Sequence, residues 1–213
     1  MNKFIKIYRD MAVERPLYEQ KARELIIEGL VSRRPGSFDS AKVDEVKCVP
    51  GSVYIFNYNS ASKTVLQNMD TGRNISFSDG LPVLLVTEVS GDNIKGFNLN
   101  LCRSEFKCLL LNSIFNLQGE MNTSGEFDDR VRKAVTKLGD RQFLNAVLGV
   151  GVAKDPEYRK ATVDILLKTI RNYSVKNMMN VKLLEPSMWR YIPFLNLQAY
   201  AGIQKDMHAS GRL

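Results

Sequence analysis

Ten cations in the second half of the chain are the side chains best placed to act together. Arg130, Arg132, Lys133, Lys137 and Arg141 fall within twelve residues, and Arg159, Lys160, Lys168, Arg171 and Lys176 follow. If the segments that carry them are adjacent helices, several of these groups face one way. That pattern suits a phosphate backbone or an acidic protein surface. It equally describes two helices with solvated outer faces. Aromatic rings that would stack on bases are few, Tyr158 and Tyr173, which disfavours sequence-specific recognition of single strands.

Other chemistries find less support. Cys48, Cys102 and Cys108 form no CxxC pair, and the one histidine, His208, lies near the C-terminus, so no zinc site is expected. Three reduced, partly buried thiols are the expectation. The stretch "GVGVAKD" lacks the Lys-Ser/Thr ending of a phosphate-binding loop and reads as a helix end. Asp128 and Asp129 are adjacent, so they do not share a helix face, and a helix N-terminus accounts for them. The chain contains no DxD, HExxH or GxSxG motif. No catalytic residue, metal, cofactor or small-molecule substrate is assigned, and the chain is not expected to be an enzyme.

The single tryptophan, Trp189, sits among Met188, Tyr191 and Phe194 in "LLEPSMWRYIPFL". Such a group is a core anchor or a subunit-contact patch. Both readings stay open at this level.

These residues need elements to hold them. Residues 17–31, "LYEQKARELIIEGLV", put Leu17, Ala22, Leu25, Ile26 and Leu30 near one helix face, with glutamates opposite. "SRRPGSFDS" then reads as a linker or arm. From Val46 the period becomes that of strands: "VKCVPGSVYIFNY", a short piece near Thr64, "ISFSDG" into "LPVLLVTEV", a turn at "SGDN", and "IKGFNLNLC". Four or five short strands with tight turns predict a small SH3-like β-barrel, or a meander packed on helices.

After Cys102 the pattern is helical. "SEFKCLLLNSIFNL" opens at Ser104, "EFDDRVRKAVTKLG" ends at Gly139, and "DRQFLNAVLGVGV" starts at Asp140. "DPEYRKATVDILLKTIRNY" begins with the cap pair Asp155-Pro156 and runs about five turns. "MMNVKLLEP" reads as a late strand, and the segment after it as a short helix or turn interrupted by Pro193. The expected class is α+β in three parts: 1–45 as N-terminal helix and linker arm, 46–103 as the β module, 104–213 as a mainly helical region packed on it.

Bulk properties bound the partners. The 213 residues are 44% hydrophobic, enough for a core. No run nears the roughly 18 apolar residues of a membrane span. The start, "MNKFIKIYRDMAVERP", lacks signal-peptide character, so a cytoplasmic origin is expected. Of the net charge of +7, residues 126–213 supply most, with 15 Lys/Arg against 9 Asp/Glu.

The ordered set "PGSVYIFNY", "SDGLPVLLVTE", "GFNLNLCRSEFKCLLLNSI", "ILLKTIRNY" and "VKLLEPSMWRYIPFL" resembles a virion-protein family of T-even-like tailed bacteriophages, commonly labelled the DNA end protector protein. The resemblance covers about residues 46–200. Its anchors are Pro50, Gly51, Tyr54, Tyr58, Asp79, Pro82, Gly96, Asn98, Pro186 and Trp189. The family's tyrosines before Asp79 are here Phe77-Ser78, and its His-Tyr-Leu-Pro element is Asn100-Leu101-Cys102-Arg103.

The resemblance implies a non-enzymatic structural protein of the virion, made in the host cytoplasm. It would bind the ends of packaged linear double-stranded DNA at the head, neck or tail, beside other virion proteins in an oligomeric assembly. A purely architectural baseplate, tail or neck subunit is the alternative. More remotely, "GSVYIFNY" and "LPVLLVTE" resemble the opening strands of MazF-like ribonuclease toxins on an SH3-like barrel.

Overall fold

In the computed structural model of the chain, residues 17–24, 48–59, 64–67, 74–77, 80–118, 136–151 and 155–195 are described. Seven strands occur among them: β1 (Val53–Tyr58), β2 (Thr64–Gln67), β3 (Asn74–Phe77), β4 (Val83–Ser90), β5 (Asn93–Asn98), β6 (Ile170–Ser174) and β7 (Met178–Leu184). The helices are α1 (residues 17–24), α2 (Ser104–Gln118), α3 (Asp140–Gly151) and α4 (Pro156–Leu167). Five strands form one antiparallel sheet in the order β6-β5-β4-β1-β7, and β2 pairs only with β3. The fold is α+β, as expected.

The closed barrel expected of residues 46–103 is not formed. Only β1, β4 and β5 of the sheet come from that region, and the ladder stays open between its edge strands β6 and β7. The long helix expected from Asp155 also stops early. Its start agrees with expectation: Asp155 Oδ1 accepts from Glu157 N at 2.9 Å, with Pro156 next. Its end is set at Leu167 by tight turns, Lys168 N to Ile165 O (3.1 Å) and Thr169 N to Leu166 O (3.0 Å). The residues beyond, Ile170–Ser174, pair with β5 instead. A β-branched Thr-Ile step and an aromatic ring at Tyr173 suit a ladder, and tertiary pairing overrides weak helix preference.

The sheet is strongly curled. Strands lie about 4.8 Å apart, so edges of a flat five-stranded sheet would be about 19 Å apart. Yet β6 and β7, the two edges, are joined only by the 3-10 turn Val175–Asn177. Such a turn advances about 2 Å per residue and cannot cross that gap. The edges therefore meet at one corner, where Asn59 N donates to Asn177 O at 3.1 Å. The Tyr58 and Tyr173 rings are 4.9 Å apart there, edge to face.

Curling explains why both sheet faces are dry. The concave face carries Tyr54, Phe56, Leu84, Val86, Ile94, Tyr173 and Met178, which pack on one another. The other face carries Val53, Ile55, Val83, Leu85, Phe97 and Leu184 and is covered by the helices. Leu110 and Ile114 of α2, Phe143 and Val147 of α3, and Val163 and Leu166 of α4 share that core with Trp189. β1 is consequently buried at five of its six positions.

Candidate polyanion-binding surface

The helices that carry the cations are neighbours. Arg141 of α3 and Asp164 of α4 form an ion pair at 2.8 Å, and both helices sink apolar residues into one core. Arg159 of α4 reaches α3 at Gly149, where a Cβ would lie in ordinary contact, 3.5 Å from its Nη1. Lys137, Lys160, Lys168 and Lys176 are exposed. Arg171 is half-buried, and its Nη1 donates to the carbonyls of Lys168 (3.0 Å) and Ile170 (2.6 Å). Arg130, Arg132 and Lys133 lie outside the described residues. So Arg141 is paired and Arg171 is partly engaged with backbone, while four lysines present their charge to solvent.

The aromatic patch has a different place from a contact surface. Trp189 is 0% exposed, and its indole N–H donates to Leu184 O at 2.9 Å, so it anchors the core and offers no outer surface. Met188, Tyr191 and Phe194 are half-buried. The Tyr18 ring of α1 lies 5.5 Å from both Tyr191 and Phe194, and Ala22 is buried one turn on. The chain's own N-terminal helix thus covers this patch. Leu17, expected on the apolar face, is exposed, because Tyr18 and Ala22 define the buried stripe.

The anchor residues of the resemblance serve the backbone. Val49-Pro50-Gly51-Ser52 is a turn closed by Ser52 N to Val49 O (3.2 Å), with Gly51 at φ 88°. This is the type II form, where glycine takes the left-handed position. The Tyr54 hydroxyl accepts from Val49 N at 3.0 Å and fastens the turn to β1. Tyr58 OH accepts from Ser174 N at 3.4 Å and helps hold the curled corner.

Pro82 precedes β4, and its carbonyl accepts from Phe56 N at 3.3 Å, so its missing N–H costs the ladder nothing. At Gly96 a Cβ would lie 2.2 Å from the Leu85 carbonyl oxygen. Buried Asn98 donates through Nδ2 to Tyr173 OH at 2.7 Å and accepts from Asn100 N at 3.0 Å. Pro186 opens the 3-10 segment Pro186–Phe194 directly after β7. Asp79 lies outside the described residues.

Two charged groups escaped the reading of the sequence. Lys95 on β5 binds Asp140 at 2.5 Å and Glu88 at 3.8 Å, tying the start of α3 to the sheet. Lys107 is 1% exposed, and its ammonium donates to the Leu195 carbonyl. Burial pushes its pKa down to about 8, against smaller opposing effects of Cys102 and Cys108. A lone lysine in an apolar helix gives no signal of the inward direction of Lys107, and nothing near Lys95 announces a partner as distant in sequence as Asp140.

The cysteines are free and buried, as expected. Burial raises Cys48 and Cys102 to about 11 and Cys108 to about 12, so none is a ready nucleophile. Among the described residues no group of metal-ligand side chains gathers, and no helix is long and apolar enough to cross a membrane. Comparison with protein-family models, curated proteins and solved structures finds no match to this chain.

Proposed function

We propose that the chain is a non-enzymatic structural protein of a tailed-phage virion that contacts the ends of packaged linear DNA. It would be made in the host cytoplasm and act beside other virion proteins. The observation that supports this most is the side-by-side packing of α3 and α4, which sets Arg141 beside the helix that carries Arg159 and Lys160 and ends at Lys168. Together with the resemblance over residues 46–200, it favours phosphate contacts over base reading.

The finer fold belongs to the same proposal. The order β7-β1-β4-β5-β6, with a 3-10 turn joining the two edges of the open sheet, supports an SH3-like strand order. On this view α2, α3 and α4 are an insertion between its third and fourth barrel strands.

A second reading, a purely architectural baseplate, tail or neck subunit, draws on a separate observation. Met179 is 37% and Leu183 45% exposed on the edge strand β7. Exposed apolar side chains on an open edge invite a neighbouring chain.

Binding to linear duplex, compared with the same duplex closed into a circle across a salt series, tests the first reading. End contact predicts preference for the linear form, protection from exonuclease, and affinity that falls steeply with salt. Negligible binding at low salt overturns it in favour of the architectural subunit. Growth arrest on expression would instead favour the ribonuclease-toxin reading.

A further inference from the structure

The two edge strands lie in a stretch with an unusual charge pattern. Between Asp164 and Glu185 the chain has Lys168, Arg171, Lys176 and Lys182 and no carboxylate. Lys168 closes α4, Arg171 is on β6, Lys176 is in the corner turn, and Lys182 is on β7. Nearby acids are engaged or displaced: Asp164 holds Arg141, while Glu88 and Asp140 hold Lys95. Asp92 is exposed, and its backbone carbonyl accepts from Val175 N at the Lys176 end of β6.

The backbone of β6 adds direction. Asn98 N donates to Thr169 O, and Val175 N donates to Asp92 O. Antiparallel pairs alternate, so Thr169, Arg171, Tyr173 and Val175 point their backbone groups at β5. Ile170, Asn172 and Ser174 point theirs outward. The outward N–H of Ser174 is taken by Tyr58 OH, and the outward carbonyl of Ile170 is taken by the Arg171 guanidinium at 2.6 Å. The N–H groups of Ile170 and Asn172 have no partner among the described residues.

An added β-strand needs alternating donors and acceptors from the edge it joins. At Ile170 the acceptor is already occupied, so strand addition is obstructed there. What remains is two backbone N–H groups and the outward carbonyls of Asn172 and Ser174, joined by the remaining N–H bonds of Arg171 and the ammonium groups of Lys168 and Lys176, so donors outnumber acceptors. Donors of this kind complement phosphate oxygens.

We infer that the outer edge of β6, with Lys168, Arg171 and Lys176, is the surface that holds a nucleic-acid phosphate backbone. This rests on the DNA-contact reading above and moves its centre from the outer faces of α3 and α4 to the sheet edge.

The test compares two double variants that change net charge equally, K168E/K176E at the edge and K137E/K160E away from it, with Lys137 just ahead of α3 and Lys160 on α4. Each is checked for folding by circular dichroism and thermal melting, and all four positions are exposed. Binding to a linear duplex is measured across a salt series. The edge assignment predicts that K168E/K176E loses about tenfold or more in affinity and lowers the salt slope by about 2, with a smaller effect from K137E/K160E.

Equal losses in both variants, or a larger loss from K137E/K160E, overturn the edge assignment while leaving DNA contact standing. Absence of binding by the unaltered protein overturns the DNA reading and the edge with it. A polyglutamate peptide that displaces the duplex at matched charge concentration overturns the phosphate assignment in favour of an acidic protein.

Discussion

Replacing Lys107 by methionine should stabilise the protein at neutral pH and remove a specific pH dependence. The ammonium is buried in a helix–sheet core, and its pKa falls from 10.5 to about 8. That difference corresponds to about 3 kcal/mol of penalty for keeping the charge in the folded state. Methionine fills a similar volume without charge. It leaves the Leu195 carbonyl without its donor, at a cost of about 1–3 kcal/mol. The net expectation at pH 7 is K107M more stable by about 1 kcal/mol.

The pH dependence is the sharper test. Below pH 8 the lysine is protonated in both states and the full penalty stands. Between about 8 and 10.5 the folded form is neutral while the unfolded form still binds a proton. Unaltered protein therefore gains on K107M by about 1.4 kcal/mol per pH unit in that window. The cysteines act oppositely. Their folded pKa values are raised from 9.0 to about 11 or 12, so their stabilisation is present below pH 9 and is lost as pH rises through those values. They titrate in both proteins and largely cancel in the difference.

Urea unfolding of both proteins at intervals from pH 6 to 9.5, in reductant, supplies the comparison. A stability difference that stays flat across that range would refute the claim that Lys107 is a desolvated cation. So would a K107M protein destabilised equally at every pH.

Gly96→Ala should destabilise by about 3 kcal/mol or prevent folding, since its Cβ meets a backbone carbonyl at 2.2 Å between paired strands. Urea midpoints decide it, and a loss under 1 kcal/mol would show that β4 and β5 part easily. Asp155→Ala should cost about 1 kcal/mol by removing the α4 cap, while Asp155→Asn keeps most of it. Thermal melts of the two variants should therefore separate.

Much of the fold was legible where local chemistry and burial agree. Asp155-Pro156 declares a helix start, Pro50-Gly51 a turn, and the β-branched and aromatic run at Val53–Tyr58 a strand. The end of α4 was not legible, because "ILLKTIRNY" carries a helical apolar pattern through the break. Only the edge of β5 selects the extended form for Ile170–Ser174. Completion of the open sheet by the distant strands β6 and β7 was hidden for the same reason: pairing across sequence leaves no periodic mark.

The cations could be named from sequence, but their partners could not. Nothing near Arg141 announces Asp164 on the next helix, and nothing near Arg171 announces that its guanidinium would turn back to the Ile170 carbonyl. Trp189 could be read as anchor or contact, and its complete burial decides for anchor. The apolar spacing that starts from Leu17 gives no sign of Tyr18, whose ring packs inward on Tyr191 and Phe194.

Placing α2, α3 and α4 between β5 and β6 also sets a timetable for the nascent chain. The meander β1-β4-β5 is complete at Asn98, but β7, which must pair with β1, ends at Leu184. At about 5–20 residues per second, a ribosome needs roughly 4 to 17 seconds to make the difference. Throughout that interval both sides of the meander lack their final strands, and Tyr54, Phe56 and Val86 lack the Tyr173 and Met178 that cover them. Translation speed and chaperone access over residues 99–184 should therefore govern the yield of soluble protein more than its final stability does.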